Sequence, residues 1–189
     1  MTKIVLTGGP GAGKSVISAA LVRQNPRWIS VPESATQVFS DLQTRWDRVS
    51  PEGLRQVQTR IYQNQVRQES DFAQKFGDRI LILDRGTIDG AAYWPEGPDA
   101  FWPAVNTTHS AELARYDAVI LLETAATLGI YDGDVSNPVR FEDAAGAIAS
   151  GKLLEKLWGN HPNLQRIGAF EDLEHKIAAV AGIIRQITS

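Results

Sequence analysis

The stretch Gly8-Gly9-Pro10-Gly11-Ala12-Gly13-Lys14-Ser15 decides how the rest of this chain is interpreted. It satisfies the spacing G-x-x-x-x-G-K-[ST], and it lies between an apolar, β-branched run at residues 3–7 and a helical pattern from Ser15 to Gln24. Glycines let the backbone wrap closely around a bound group with its N–H groups pointing inward, and the following helix adds a dipole that favours an anion. The stretch therefore predicts a phosphate-binding loop.

The loop assigns roles to its own residues. Lys14 is expected to reach the β- and γ-phosphates of a nucleoside di- or triphosphate, ATP or GTP, and the Ser15 hydroxyl to ligate Mg²⁺. The alternative, a plain strand-to-helix turn with an exposed lysine, is disfavoured because both the spacing and the position match. The residues expected to contact the nucleotide here are Gly8, Gly9, Pro10, Gly11, Ala12, Gly13, Lys14, Ser15 and Val16.

The pattern of apolar residues predicts an α/β fold. Continuous apolar runs predict further strands, and periodic apolar residues predict further helices. Strands that are apolar throughout and alternate with helices are typical of a parallel sheet covered on both faces. Two segments rich in glycine and proline, 94–108 and 125–140, are predicted to be loops. The predicted strands are 28–31, 79–83, 118–122 and, more weakly, 163–167, and the predicted helices are 51–76, 142–158 and 171–187.

Composition excludes several classes of protein. The chain has 189 residues, of which 43% are hydrophobic and 22% charged, as expected for one folded domain over residues 1–189. The absence of cysteine excludes disulfides and thiolate metal sites. No apolar run is long enough to span a membrane, and the start does not resemble a signal peptide, so a cytoplasmic protein is expected. A net charge of −3 argues against a general nucleic-acid binder.

Three charged residues follow predicted strands, where ligands bind in parallel sheets. Asp84 is expected to hold the hydration shell of Mg²⁺, or else to cap the next helix. Arg85 is expected to contact a phosphate, or else to form a surface ion pair. Glu33 is expected either to accept the proton of an attacking hydroxyl or to cap the helix that follows it.

Two further groups of residues are candidates for binding a second substrate. Arginines on and before the long helix would either face an anionic acceptor or form a solvated helix face. Aromatic residues in the Pro/Gly-rich segment would either stack on a ring of the acceptor or pack the segment against the sheet. These residues are Arg45, Arg48, Arg55, Arg60 and Arg67, and Tyr93, Trp94, Phe101 and Trp102.

Taken together, these motifs resemble those of P-loop nucleoside and nucleotide kinases. They are similar in particular to a small AAA-labelled family that includes the ribosylnicotinamide kinase domain of bacterial NAD regulators and a phosphoinositide- and GTP-binding transport protein of insects. The motifs that carry the resemblance are Gly8–Ser15, Pro32-Glu33, Asp84-Arg85-Gly86, Tyr116-Asp117 with the run Val119–Leu122, and residues 137–143.

The resemblance implies a three-layer P-loop fold with a five-stranded, mainly parallel sheet of order 2-3-1-4-5. It also implies a small lid at about residues 125–141, from which Arg140 would stabilise charge on the transferring phosphoryl group. The alternative for Arg140 is an ion pair with Glu142 or Asp143. In related kinases the loop after the last strand, here about 168–170, flanks the nucleotide base.

The leading functional hypothesis is a Mg²⁺-dependent kinase that transfers the γ-phosphoryl group of ATP to a hydroxyl of a small, nucleoside-like acceptor. Its catalytic residues would be Lys14, Glu33, Asp84 and Arg140. The alternatives are a nucleotide-dependent binding module or switch and a simple nucleoside triphosphate hydrolase. A conventional GTPase is disfavoured because residues 123–126 lack the [NT]-K-x-D element. The sequence makes no prediction of the oligomeric state.

Overall fold

Five parallel strands form one sheet in the computed structural model, which describes residues 1–44, 49–131 and 143–189. The strand order is β2-β3-β1-β4-β5, and all four pairings are parallel. The expected order and the α/β class are therefore confirmed, with a sheet that is parallel throughout. The strands are β1 (Thr2–Thr7), β2 (Trp28–Val31), β3 (Ile80–Asp84), β4 (Ala118–Leu122) and β5 (Leu164–Ile167).

Helices cover both faces of this sheet. Several begin at side-chain caps that the sequence contains: Ser50 accepts a hydrogen bond from the Gly53 N–H, and Asp143 accepts one from the Gly146 N–H. Two 3-10 turns, at Thr87–Tyr93 and Ala125–Leu128, follow β3 and β4. The helices are α1 (Lys14–Gln24), α2 (Ser34–Asp41), α3 (Pro51–Lys75), α4 (Pro98–Ala104), α5 (His109–Leu113), α6 (Ala144–Trp158) and α7 (Leu173–Thr188).

The alternation of side chains along the strands divides the core into two layers. Ile4 and Leu6 of β1 face the layer that contains α1 and α7, whereas Val5 faces the layer that contains Trp158 of α6 and Phe101 of α4. All five side chains are fully buried. Burial of each is worth about 1.5–3 kcal/mol, so both layers hold the central strands in place.

The loop predicted at 94–108 is wrong for residues 98–104, which form α4. Gly97 and Pro98 suit a helix start, and the aromatic side chains of this segment are drawn into the core. Trp94, Phe101 and Trp102 are less than a tenth exposed, so they pack the segment against the sheet. Tyr93 is half-buried.

The register of the central strands brings together the strand ends that carry the candidate site. Leu6 of β1 pairs with Asp84 of β3 on one side and with Ile120 of β4 on the other. The loop that follows β1 therefore emerges between Asp84 and the end of β4. Within the described ranges, no helix is long and apolar enough to cross a bilayer.

Candidate nucleotide and metal site

The loop between β1 and α1 lies in close contact with the end of β4. Gly8 has a backbone φ of 144°, and a Cβ added there would lie 2.2 Å from the Leu122 carbonyl oxygen. Gly13, with φ of 84°, immediately precedes α1 and provides no side-chain cap. The first N–H groups of α1 are consequently available to an external acceptor such as a phosphate.

Lys14 is held inside this loop. Its ammonium donates hydrogen bonds to the carbonyl oxygens of Gly8 (2.9 Å) and Gly9 (3.0 Å), and the residue is 6% exposed. The positive charge is therefore fixed beside the loop backbone, as expected of a residue that binds phosphates.

Ser15 and Asp84 meet where a metal ion is predicted. The Ser15 hydroxyl donates a hydrogen bond to Asp84 Oδ2. Asp84 is 4% exposed, and its Oδ1 is buried without a hydrogen-bond partner among the described residues. A hydroxyl beside a carboxylate with an unused oxygen fits Mg²⁺ and its water ligands. The alternative role of Asp84 as a helix cap is not seen, because the turn that follows begins after Gly86.

Arg85 forms a buried ion-pair cluster with Glu33 and Asp89. Its Nε lies 2.6 Å from Glu33 Oε1, and its Nη1 lies 2.9 Å from Asp89 Oδ2. Arg85 has a left-handed backbone, with φ of 78°. The residue is 6% exposed, so its ion pairs are buried and do not lie on the surface as one alternative expected. Its Nη2 has no hydrogen-bond partner in the part of the chain that the structure describes. Burial acts to lower the pKa of Arg85, but the neighbouring Tyr93 and Asp89 raise it, which keeps the guanidinium charged.

Glu33 faces this cluster and does not cap α2. Although it immediately precedes α2, its side chain makes no capping hydrogen bond. Its carboxylate accepts from Arg85 and from the Thr36 hydroxyl (2.8 Å). The structure thus brings Glu33 and Arg85 together at the carboxyl end of the sheet, and Asp84 next to Arg85 lies against Ser15.

Asp89 and Gln65 support the cluster, and sequence reasoning missed both. Asp89 accepts hydrogen bonds from the Thr7 hydroxyl (2.9 Å) and from Trp158 Nε1 (2.8 Å) in addition to Arg85. Gln65 Nε2 donates to the Arg85 carbonyl oxygen (3.3 Å). The position of Asp89, four residues after Arg85, could have suggested an ion pair between them. No feature of the sequence indicated a role for Gln65.

Lys176 of α7 is a third residue that the sequence did not single out. Its ammonium donates to the carbonyl oxygens of Ala12 (3.0 Å) and Glu123 (2.7 Å), and the residue is 5% exposed. Burial lowers the pKa of Lys176 to about 8, and the Glu123 carboxylate opposes this effect in part. Lys176 therefore joins the phosphate-binding loop to the end of β4.

The pKa of Lys176 leads to a prediction about stability. An unfolded lysine keeps its proton up to about pH 10.5, whereas the folded protein releases it near pH 8. Stability rises with pH wherever the unfolded chain binds more protons. Between about pH 7 and pH 10, the free energy of unfolding of the wild type should rise by about 2 kcal/mol relative to Lys176→Met. Urea unfolding of both proteins across this range checks it, and a difference that stays constant or falls would contradict it.

The remaining predicted residues lie elsewhere or cannot be placed. Val16 is exposed at the start of α1. Arg140 lies outside the described residues, as do Arg45, Arg48 and most of the predicted lid. The other arginines of the group pair with side chains of the protein, and Arg60 is exposed and Arg55 partly exposed, which favours the solvated helix face. These pairs are Arg55 with Glu52 and Glu96, Arg60 with Asp41, and Arg67 with Asn64.

Comparison with known proteins agrees with this geometry. A family model described as an AAA domain matches residues 3–174, and the chain belongs to that family of P-loop domains. Membership of this family indicates that the protein binds a nucleotide, and P-loop domains typically do so together with Mg²⁺. No curated protein matches the sequence.

Proposed function

We propose that this protein is a Mg²⁺-dependent kinase that transfers the γ-phosphoryl group of ATP to a hydroxyl group of a small, nucleoside-like acceptor. The observation that carries the proposal is the pairing of Glu33 with Arg85 beside the Ser15–Asp84 pair. A protein that only bound nucleotide would need the phosphate loop and the metal residues. A carboxylate anchored next to these residues is what a kinase needs to accept the proton of an acceptor hydroxyl.

The binding steps of the proposed reaction use the loop and the end of β3. The backbone of residues 8–15 and the Lys14 ammonium bind the triphosphate, and Ser15 and Asp84 are the residues that would hold Mg²⁺. When bound, Mg²⁺ offsets charge on the phosphate oxygens. The nucleotide is thereby oriented with its γ-phosphate at the carboxyl ends of β1 and β3.

Proton transfer in the proposed reaction is assigned to Glu33. Its carboxylate accepts the proton of the acceptor hydroxyl as that oxygen bonds to the γ-phosphorus, while the bond from the γ-phosphorus to the β–γ bridging oxygen breaks and ADP leaves. Arg85 holds Glu33 by its Nε and is itself held by Asp89, so these two ion pairs orient the carboxylate. Arg140 is assigned to a lid over about residues 125–141, where it would offset charge on the transferring group. The resemblance to ribosylnicotinamide kinase favours nicotinamide riboside as the first acceptor to test.

Glu33→Gln tests the proposal. The variant should bind ATP as the wild type does and transfer phosphate about 10²–10⁴-fold more slowly, because the amide accepts no proton. Transfer is measured with labelled ATP, Mg²⁺ and a panel of nicotinamide riboside and the common nucleosides. The control is Glu155→Gln, which changes an exposed ion pair with Arg166.

Each other outcome selects a different function. If Glu33→Gln transfers phosphate at the wild-type rate, Glu33 is not the base. A wild type that releases phosphate without labelling any member of the panel favours a hydrolase. A wild type that binds nucleotide with neither activity favours a switch.

A further inference from the structure

The first N–H groups of α1 have no side-chain cap, whereas the carbonyl oxygens of residues 8–12 in the phosphate-binding loop all accept hydrogen bonds. Lys14 donates to the first two of them. The Pro10 carbonyl accepts from the Thr124 hydroxyl (2.5 Å), and the Gly11 carbonyl accepts from the Ala125 N–H (3.3 Å). The Ala12 carbonyl accepts from Lys176 Nζ. The last three donors lie outside the loop, and we call Thr124, Ala125 and Lys176 the outer brace.

Lys176 is the charged member of the outer brace. A hydrogen bond from a charged donor is about twice as strong as a neutral one. The peptide unit that contains the Ala12 carbonyl also contains the Gly13 N–H. Hydrogen bonds in a chain polarise one another, so donation to the Ala12 carbonyl makes the Gly13 N–H a stronger donor. The positive charge of Lys176 thus acts through one peptide unit on the Gly13 N–H, which immediately precedes α1.

Lys176 also fixes where the loop lies. Its second hydrogen bond goes to the Glu123 carbonyl at the end of β4, so one ammonium ties the loop to the sheet and to α7. Left-handed glycines at 11 and 13 flank Ala12, and such a segment is free to rearrange unless it is tied. A loop already held in its binding shape loses less entropy when a ligand arrives.

Stability alone does not account for a lysine at this position. Burial penalises an ammonium unless it is paired, and the Ala12 and Glu123 carbonyl oxygens that accept from Lys176 are neutral. We infer that Lys176, assisted by Thr124, is a positioning residue that preorganises and polarises the loop for the polyphosphate group of the nucleotide. The inference rests on nucleotide binding and not on phosphoryl transfer.

Inorganic tripolyphosphate separates this role from recognition of the base or ribose. Calorimetric titration with Mg²⁺–tripolyphosphate and with Mg²⁺–ATP compares the wild type with Lys176→Met. The variant should lose affinity for both ligands by a similar factor, about tenfold or more, because the lost contact is charge-assisted. Lys156→Met, which removes an exposed lysine of α6, is the matched control and should bind as the wild type does.

Thr124→Val provides a second, milder test. Removing the Thr124 hydroxyl should lower the affinity for both ligands by a smaller factor than Lys176→Met does, because the lost hydrogen bond is neutral. A folded Lys176→Met with unchanged affinity would overturn the inference, and so would a loss confined to ATP or a wild type that binds neither ligand. If Lys176→Met does not fold, unchanged binding of tripolyphosphate by Thr124→Val overturns it. None of these readouts depends on transfer, so the kinase proposal can fail separately.

Discussion

Asp84→Asn is expected to abolish the gain in nucleotide affinity, about a hundredfold, that Mg²⁺ gives the wild type. The free energy of unfolding should stay within about 1 kcal/mol of the wild type. An amide still accepts the hydrogen bond from Ser15, so the local packing is retained. It carries no charge, however, and a neutral oxygen is a weak ligand for Mg²⁺. Burial of the Asp84 Oδ1, which has no hydrogen-bond partner within the described ranges, destabilises the folded protein, so loss of the charge is tolerated.

Calorimetric titration of ATP with Mg²⁺ and with a chelator measures this effect. The wild type should bind more tightly with Mg²⁺, whereas Asp84→Asn should show one affinity in both conditions. Asp78→Asn, at an exposed position before β3, controls for the loss of one negative charge. An equal gain from Mg²⁺ in Asp84→Asn and the wild type would contradict the assignment of Asp84 to the metal.

The fold was predictable where its signal is local in the sequence. Runs such as Leu81–Leu83 are apolar throughout because both of their faces are buried, and this marks a central parallel strand. Ser50 and Pro51 mark the start of α3 by the chemistry of their own side chains. Short helices carry less of this signal: α4 and α5, with seven and five residues, are too short for a clear period and were missed.

The site was predictable only in part, for a similar reason. The loop at 8–15 is contiguous, so its spacing alone identifies it. Glu33 and Arg85 are 52 positions apart and meet because β2 lies next to β3, and Lys176 reaches Ala12 across 164 positions. The sequence suggested Glu33 and Arg85 as separate strand-end residues, but the contact between them required the tertiary structure. Lys176 gave no signal, since a lysine on an amphipathic helix is usually exposed.

Gly8→Ala is expected to lower the free energy of unfolding by about 3–5 kcal/mol and to abolish nucleotide binding. The added Cβ would lie 2.2 Å from the Leu122 carbonyl oxygen, and a backbone φ of 144° is unfavourable for alanine. Leu122 belongs to β4, which pairs on both sides in the sheet, so it cannot retreat as a flexible side chain would. The control is Gly182→Ala in α7, where an added Cβ meets nothing within 4 Å in the described structure. That variant should gain about 0.5–1 kcal/mol from the higher helix propensity of alanine. Urea unfolding and nucleotide titration measure both variants, and a Gly8→Ala protein as stable as the wild type would contradict the close approach of the loop to β4.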